Sequence, residues 1–288
     1  MLRVSAWASA SILGVWLVAG VTLRATELAI DAPASLATAV SRVKGVDLAR
    51  LELDLRRAGL RLPARIHVVL IPDGDPRAQR IPRWIVGFAS GQEELAILPQ
   101  RVLPYPYDSV ESVFRHEVTH LALASRAGGR PLPRWFHEGV AMSVDAGWDW
   151  SGQLRLLFEM QKNPATADLA RLFASDRQPD AAQAYGLSVA LIADVQRRHG
   201  EASPGGIAGR VAQGVSFDRA FELETGEQPD EAAASAWRPY HRWSAWLPAL
   251  TSGTAVWAAI LFLAAVAYAG RRRRRARQRR RWDEDEPV

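Results

Sequence analysis

His116, Glu117 and His120 stand in the run His116-Glu117-Val118-Thr119-His120, two imidazoles four positions apart with a carboxylate between them. In a helix, residues at i and i+4 project from the same face, and two such rings can bind one zinc ion at about 2.0–2.1 Å each. Glu117 is too close in sequence to serve comfortably as a third ligand. It falls instead beside a metal-activated water, where a carboxylate acts as general base. A hydrolytic zinc centre needs a third protein ligand and an open fourth position. The segment from Leu132 to Ala141 offers two candidates: Glu138, 18 residues after His120 and the better placed, and its neighbour His137. The chain has no cysteine, so thiolate ligands are excluded and any metal must be held by histidine, carboxylate or water oxygen.

These residues need two helices to bring them together. Val110, Val113, Phe114, Val118 and Leu121 recur at three- and four-residue steps, Asp108 and Glu111 have the spacing of a capping box, and Gly128 and Gly129 supply a stop. Pro131 and Pro133 then turn the chain so that a second helix, carrying Glu138, packs back antiparallel. Upstream, Leu36, Val40, Val43, Leu48, Leu51 and Leu55 predict one or two packing helices over 34–61. Strands are expected over 66–71, 85–89 and 94–98, between Pro63, Pro82, Gly91 and Pro99. Downstream, helices are expected over 154–160, 168–173, 181–198, 207–212, 217–224 and 231–237. The fold class that follows is α+β, a small mixed sheet followed by a mainly helical lobe with the site between them. His67, His199 and His241 lack ligand spacing and read as ordinary polar residues. Asp145, seven residues after Glu138, reads as a helix-terminal aspartate.

Together, the motif His116 to His120 and the segment Pro133-Arg134-Trp135-Phe136-His137-Glu138-Gly139-Val140-Ala141 resemble the gluzincin zinc metallopeptidases, particularly the small bacterial peptidase-MA-like domains. Gly87 to Ala89 with the following strand looks like the substrate-side edge strand of that family. Ala184 to Ser188 looks like its later helix, and Phe217 to Gly226 with Trp237 like its closing segment. The likeness spans roughly residues 64 to 240 and is most specific in the two metal motifs. It implies a thermolysin-like fold and peptide-bond hydrolysis, with His116, His120 and Glu138 as zinc ligands and Glu117 as general base. It also implies Tyr185 as a second donor to the oxyanion. His137 is a departure, since small or polar residues are common there.

The net charge of +5 comes from a tail: nine arginines between residues 271 and 281, less four acidic residues at 283–286. The remaining chain is balanced, which argues against a nucleic-acid partner. Residues 1–30, with Arg3 ahead of an uncharged run, read as a signal peptide or N-terminal anchor. Residues 247–270, flanked by Trp243, Trp246 and the arginine run, are expected to form a transmembrane helix, with 271–288 as a cytoplasmic tail. The expected product is a zinc peptidase domain over 31–240, anchored to the cell membrane and facing out of the cytoplasm. Its partner would be a peptide or protein substrate. The alternative is a catalytically inactive domain of the same fold serving as an envelope protein-binding module. The sequence sets no oligomeric state.

Overall fold

In a computed structural model of the chain, residues 26–90, 93–102, 109–145, 163–175 and 177–244 are described, together with 257, 260–266, 268–269 and 271–272. Four strands form one sheet: β1 (Glu27–Asp31), β2 (Arg65–Leu70), β3 (Gly87–Ser90) and β4 (Glu94–Ile97), in the order β1-β2-β4-β3. β1 and β2 pair parallel with Leu28 opposite Ile66, β2 and β4 pair parallel with Val68 opposite Leu95, and β3 returns antiparallel with Phe88 opposite Ala96. A parallel neighbour requires a crossover rather than a tight turn. Helices α1 (Ala37–Lys44) and α2 (Leu48–Arg57) supply it between β1 and β2. Asp47 caps α2 by accepting from the Arg50 N–H at 2.9 Å, and Leu51 and Leu55, one turn apart, are buried in the core.

Alternation in β2 aims Ile66, Val68 and Leu70 into the main core with Leu95 and Ile97 of β4. On the opposite side a smaller cluster of Ile71, Ala78, Ala96 and Leu98 sits under the short helix α3 (Pro76–Gln79). Arg101 pins that connection. Its Nε lies 2.6 Å from Asp73, and its terminal nitrogens donate to the carbonyls of Ala78, Ile81 and Pro82 at 2.7, 3.1 and 3.2 Å. The chain that leads into edge strand β3 is thereby fixed.

The helical lobe follows: α4 (Val110–Arg126), α5 (Arg134–Asp145), α6 (Thr166–Phe173), α7 (Gln178–His199), α8 (Ser203–Ala212), α9 (Phe217–Thr225) and α10 (Pro229–Ser244). The fully buried Trp237 of α10 donates from its indole N–H to the Pro164 carbonyl at 2.8 Å, tying the end of the lobe to the start of α6.

The sheet and helical lobe agree with expectation, and several particulars are corrected. Residues 27–30, assigned to a leader, are part of strand β1, and α3 was not expected at all. The cap of α4 is Ser109, whose Oγ accepts from Ser112 N–H at 3.1 Å; the expected cap, Asp108, lies outside the described residues. The transmembrane helix over 247–270 is overturned: among the described residues no helix is long and apolar enough to cross a membrane. The leader over residues 1–25, the helix expected at 154–160 and the end of the tail, 273–288, lie outside the described residues.

Candidate metal centre

Helix α4 is amphipathic, with Val113, Phe114, Val118 and Leu121 buried in the core and Glu111 in its first turn. It runs unbroken through the motif and ends at Arg126, after which Gly128 and Gly129 take positive φ of 64° and 72°. At these angles a side chain would be strained, which is why the stop falls on two glycines. The predicted i, i+4 geometry holds: the Nε2 atoms of His116 and His120 face each other at 3.0 Å.

Helix α5 brings the third donor. Trp135 and Phe136 anchor its first turn in an aromatic cluster, with ring centroids 5.8 and 5.1 Å from that of Phe217. Farther along, Gly139 lets α5 settle on α7. A Cβ there would lie 2.6 Å from both the Ser188 carbonyl oxygen and Ile192 Cγ1. Only glycine permits this approach, and it sets the depth of the adjoining residue, Glu138. Glu138 Oε2 then stands 3.3 Å from His116 Nε2 and 3.4 Å from His120 Nε2.

The three donor atoms form a triangle with edges of 3.0, 3.3 and 3.4 Å. Ligands at about 2.0–2.1 Å from a tetrahedral ion stand about 3.3–3.4 Å from one another, so the spacing suits such an ion. The burial suits it too. His116 is 1% exposed, and Glu138 Oε2 is buried without a well-formed hydrogen bond. Such an oxygen, converging with two imidazole nitrogens, is stabilised by a cation and costly to leave alone. His116, His120 and Glu138 therefore form a buried group that could hold a metal ion. Burial favours the neutral form of Glu138, but the two imidazoles outweigh it and hold the carboxyl well below the usual carboxylate range.

His137, the rival ligand, does not join the triangle. Its Nδ1 lies 3.4 Å from His120 Nδ1, on the side of that ring away from Glu138. Successive helical residues point about 100° apart, so only one of the two neighbours can face the pair on α4. Burial pushes the His137 ring down to about 4, keeping it neutral at pH 7.

Glu117 is buried on the other flank of the motif, against β3. It accepts a hydrogen bond from the Ala89 N–H, and a Cβ at Gly87 would lie 2.9 Å from its Oε1. Burial is the main cause that pushes its carboxyl up to about 7; the charge of Glu138 adds to the rise, while His120 and the Ala89 N–H oppose it.

A cleft of about 510 Å³ opens over these groups. One wall is β3 and the residues before it, with Trp84 and Phe88 exposed; the other carries the histidines, Glu138, Arg134 and Tyr185. Tyr185 of α7 lines the same cleft. Its ring meets Phe173 edge-on at 5.3 Å, and its hydroxyl, raised in pKa mainly by burial, accepts from Arg134. His67, His199 and His241 lie elsewhere, hydrogen-bonded to Glu94, Glu227 and Asn163 respectively. Arg134 is the cleft residue that sequence reasoning missed. Its signal was present: it precedes Glu138 by four residues, the spacing that puts both on one helix face.

No family model, no curated protein and no solved structure matches the chain.

Proposed function

We propose that this protein is a zinc-dependent peptidase of the gluzincin kind, in which His116, His120 and Glu138 hold the ion and Glu117 is the general base. The observation that carries the proposal is the convergence of the three donor atoms beside a buried fourth group, Glu117, which is not one of them. Zinc bound there would supply Lewis-acid chemistry, polarising a carbonyl and making water a competent nucleophile near neutral pH.

The chain's own residues have distinct tasks. Glu117 takes a proton from the attacking water and returns it to the departing amine; a carboxyl near 7 suits both transfers. Tyr185, in the cleft wall opposite β3, donates to the carbonyl oxygen as negative charge develops on it. The substrate is a peptide or protein segment in extended form. β3 is an end strand of the sheet, so its outer edge can pair with such a segment by strand addition. Trp84 and Phe88 offer apolar contacts along the same wall.

The test is metal analysis of the full chain, followed by digestion of a mixed peptide library with and without chelator. The Glu117→Gln variant should keep its metal and lose hydrolysis by at least about 10²–10⁴-fold, because an amide cannot accept the water proton. Survival of both metal and hydrolysis in this variant would remove Glu117 as base. A metal-loaded wild type that cuts nothing would leave the binding-module alternative in its place.

A further inference from the structure

Arg134 opens helix α5, and no acidic residue lies in that helix's first turn. A cation at the positive end of a helix works against the macrodipole, so the position is unfavourable for local stability. Local rules are broken in this way most often where a site demands it. The surroundings suggest what is demanded. The guanidinium lies over the Phe173 ring, 4.8 Å from its centroid, and donates to the Phe173 carbonyl at 3.1 Å and to the Tyr185 hydroxyl. Stacking and these two hydrogen bonds fix the group in the cleft wall without cancelling its charge.

Among the described residues, Arg134 makes its carboxylate contact with Glu138, and it is loose. Arg134 Nε stands 3.5 Å from Glu138 Oε1, whereas charge-assisted hydrogen bonds run at about 2.7–2.9 Å. Glu138's other oxygen faces the histidines, so its charge is shared with the metal group. Meanwhile 58% of the Arg134 side chain remains exposed. A fixed, incompletely paired guanidinium thus lines a cleft whose facing wall includes Trp84, Val86 and Phe88.

From this placement we infer that Arg134 binds a carboxylate of the substrate close to the bond that is cut, so that the preferred substrates are peptides with a negative charge there. The inference rests on the proposed peptidase reading. The carboxylate has two sources, the free C-terminus of a short peptide or an Asp or Glu side chain beside the scissile bond. Planar, two-pronged carboxylate recognition is the task for which Arg outperforms Lys.

The experiment uses the full chain loaded with zinc. Binding to the Glu117→Gln variant is measured by calorimetry with acetyl-Gly-Phe as free acid and as amide, and with acetyl-Asp-Phe amide against acetyl-Asn-Phe amide. One acid should bind roughly 10- to 100-fold more tightly than its neutral counterpart, the range for a hydrogen bond to a charged group. The pair that shows the gap identifies the source. The ratio of kcat/KM for acid over neutral peptide should fall by the same factor in Arg134→Gln and be partly restored in Arg134→Lys. Equal binding of both acid and neutral pairs overturns the inference, whatever the variants do. So does an acid preference that persists in Arg134→Gln, or a loss that tracks only a drop in metal content. If the acid binds selectively while no peptide is cut by wild type, the peptidase reading fails and the carboxylate site stands.

Discussion

Replacing Glu117 by Gln should change how the metal-free protein responds to pH. Burial raises this carboxyl from 4.5 to about 7 in the folded state. Below pH 4.5 the group is protonated folded or unfolded and contributes nothing. As pH rises from 4.5 toward 7 the unfolded chain ionises first, so the folded state loses ground, and above 7 the loss is complete. The rise from 4.5 to about 7 corresponds to roughly 3 kcal/mol, at about 1.36 kcal/mol for each tenfold change in the proton equilibrium. Gln carries no charge to bury. The chelated variant should therefore gain on chelated wild type by about 3 kcal/mol between pH 4.5 and pH 8, on the order of 6–12 °C in Tm for a domain of this size. Thermal or urea melts of both full-length proteins in chelator, at half-unit steps of pH, measure the gap. Added zinc should narrow it, because a nearby cation stabilises the ionised carboxylate. Parallel stability curves across the window, or a variant that weakens as pH rises, would refute the claim that Glu117 is held in a desolvated pocket.

The His116→Ala, His120→Ala double variant should contain no zinc by elemental analysis, and full occupancy would dismiss the site. Glu138→Ala should lower zinc affinity strongly in a competition titration while His137→Ala leaves metal content nearly intact; the opposite pattern would make the centre a three-histidine one. Gly139→Ala should destabilise the fold by about 3 kcal/mol, the upper end for overpacking. The added carbon would meet the Ser188 carbonyl at 2.6 Å, and backbone has little room to move. Because Glu138 adjoins Gly139, zinc affinity should fall with it; a melt unchanged from wild type would show that α5 and α7 are not held as described.

The metal centre was legible because its information is local. His116 and His120 are set by one helical turn, and Pro131 and Pro133 ahead of Glu138 announce a second helix. What was hidden depends on contacts between distant residues. β1 has alternating exposed and half-buried residues and so carries little apolar signal of its own. Only its pairing with β2, 38 residues on from Glu27 to Arg65, makes it a strand. The choice of Glu138 over His137 rested on resemblance; in the structure it follows from the rotation of α5, fixed by Gly139 against α7. Spacing puts Arg134 on one helix face with Glu138, but how it is held in the cleft depends on Phe173 and Tyr185, which lie on two later helices. The expected membrane span drew on hydropathy over 247–270, which registers apolar composition alone; among the described residues no helix is long and apolar enough to cross a membrane.

The bond between Ala89 and Glu117 bears on solubility as well. A strand with an open edge is a template on which other strands can grow, and proteins with such edges are prone to stick to their own copies. β3 is only four residues long, and the Glu117 carboxylate already occupies one of its backbone donors from within the same molecule. A second chain adding to that edge would have to strip the donor from a buried carboxylate. The edge is thus partly closed to indiscriminate pairing, a substrate strand is left the donors that Glu117 does not occupy, and Glu117→Ala, which removes the acceptor, should make the protein more prone to aggregate than Glu117→Gln, which keeps an amide oxygen to accept from Ala89.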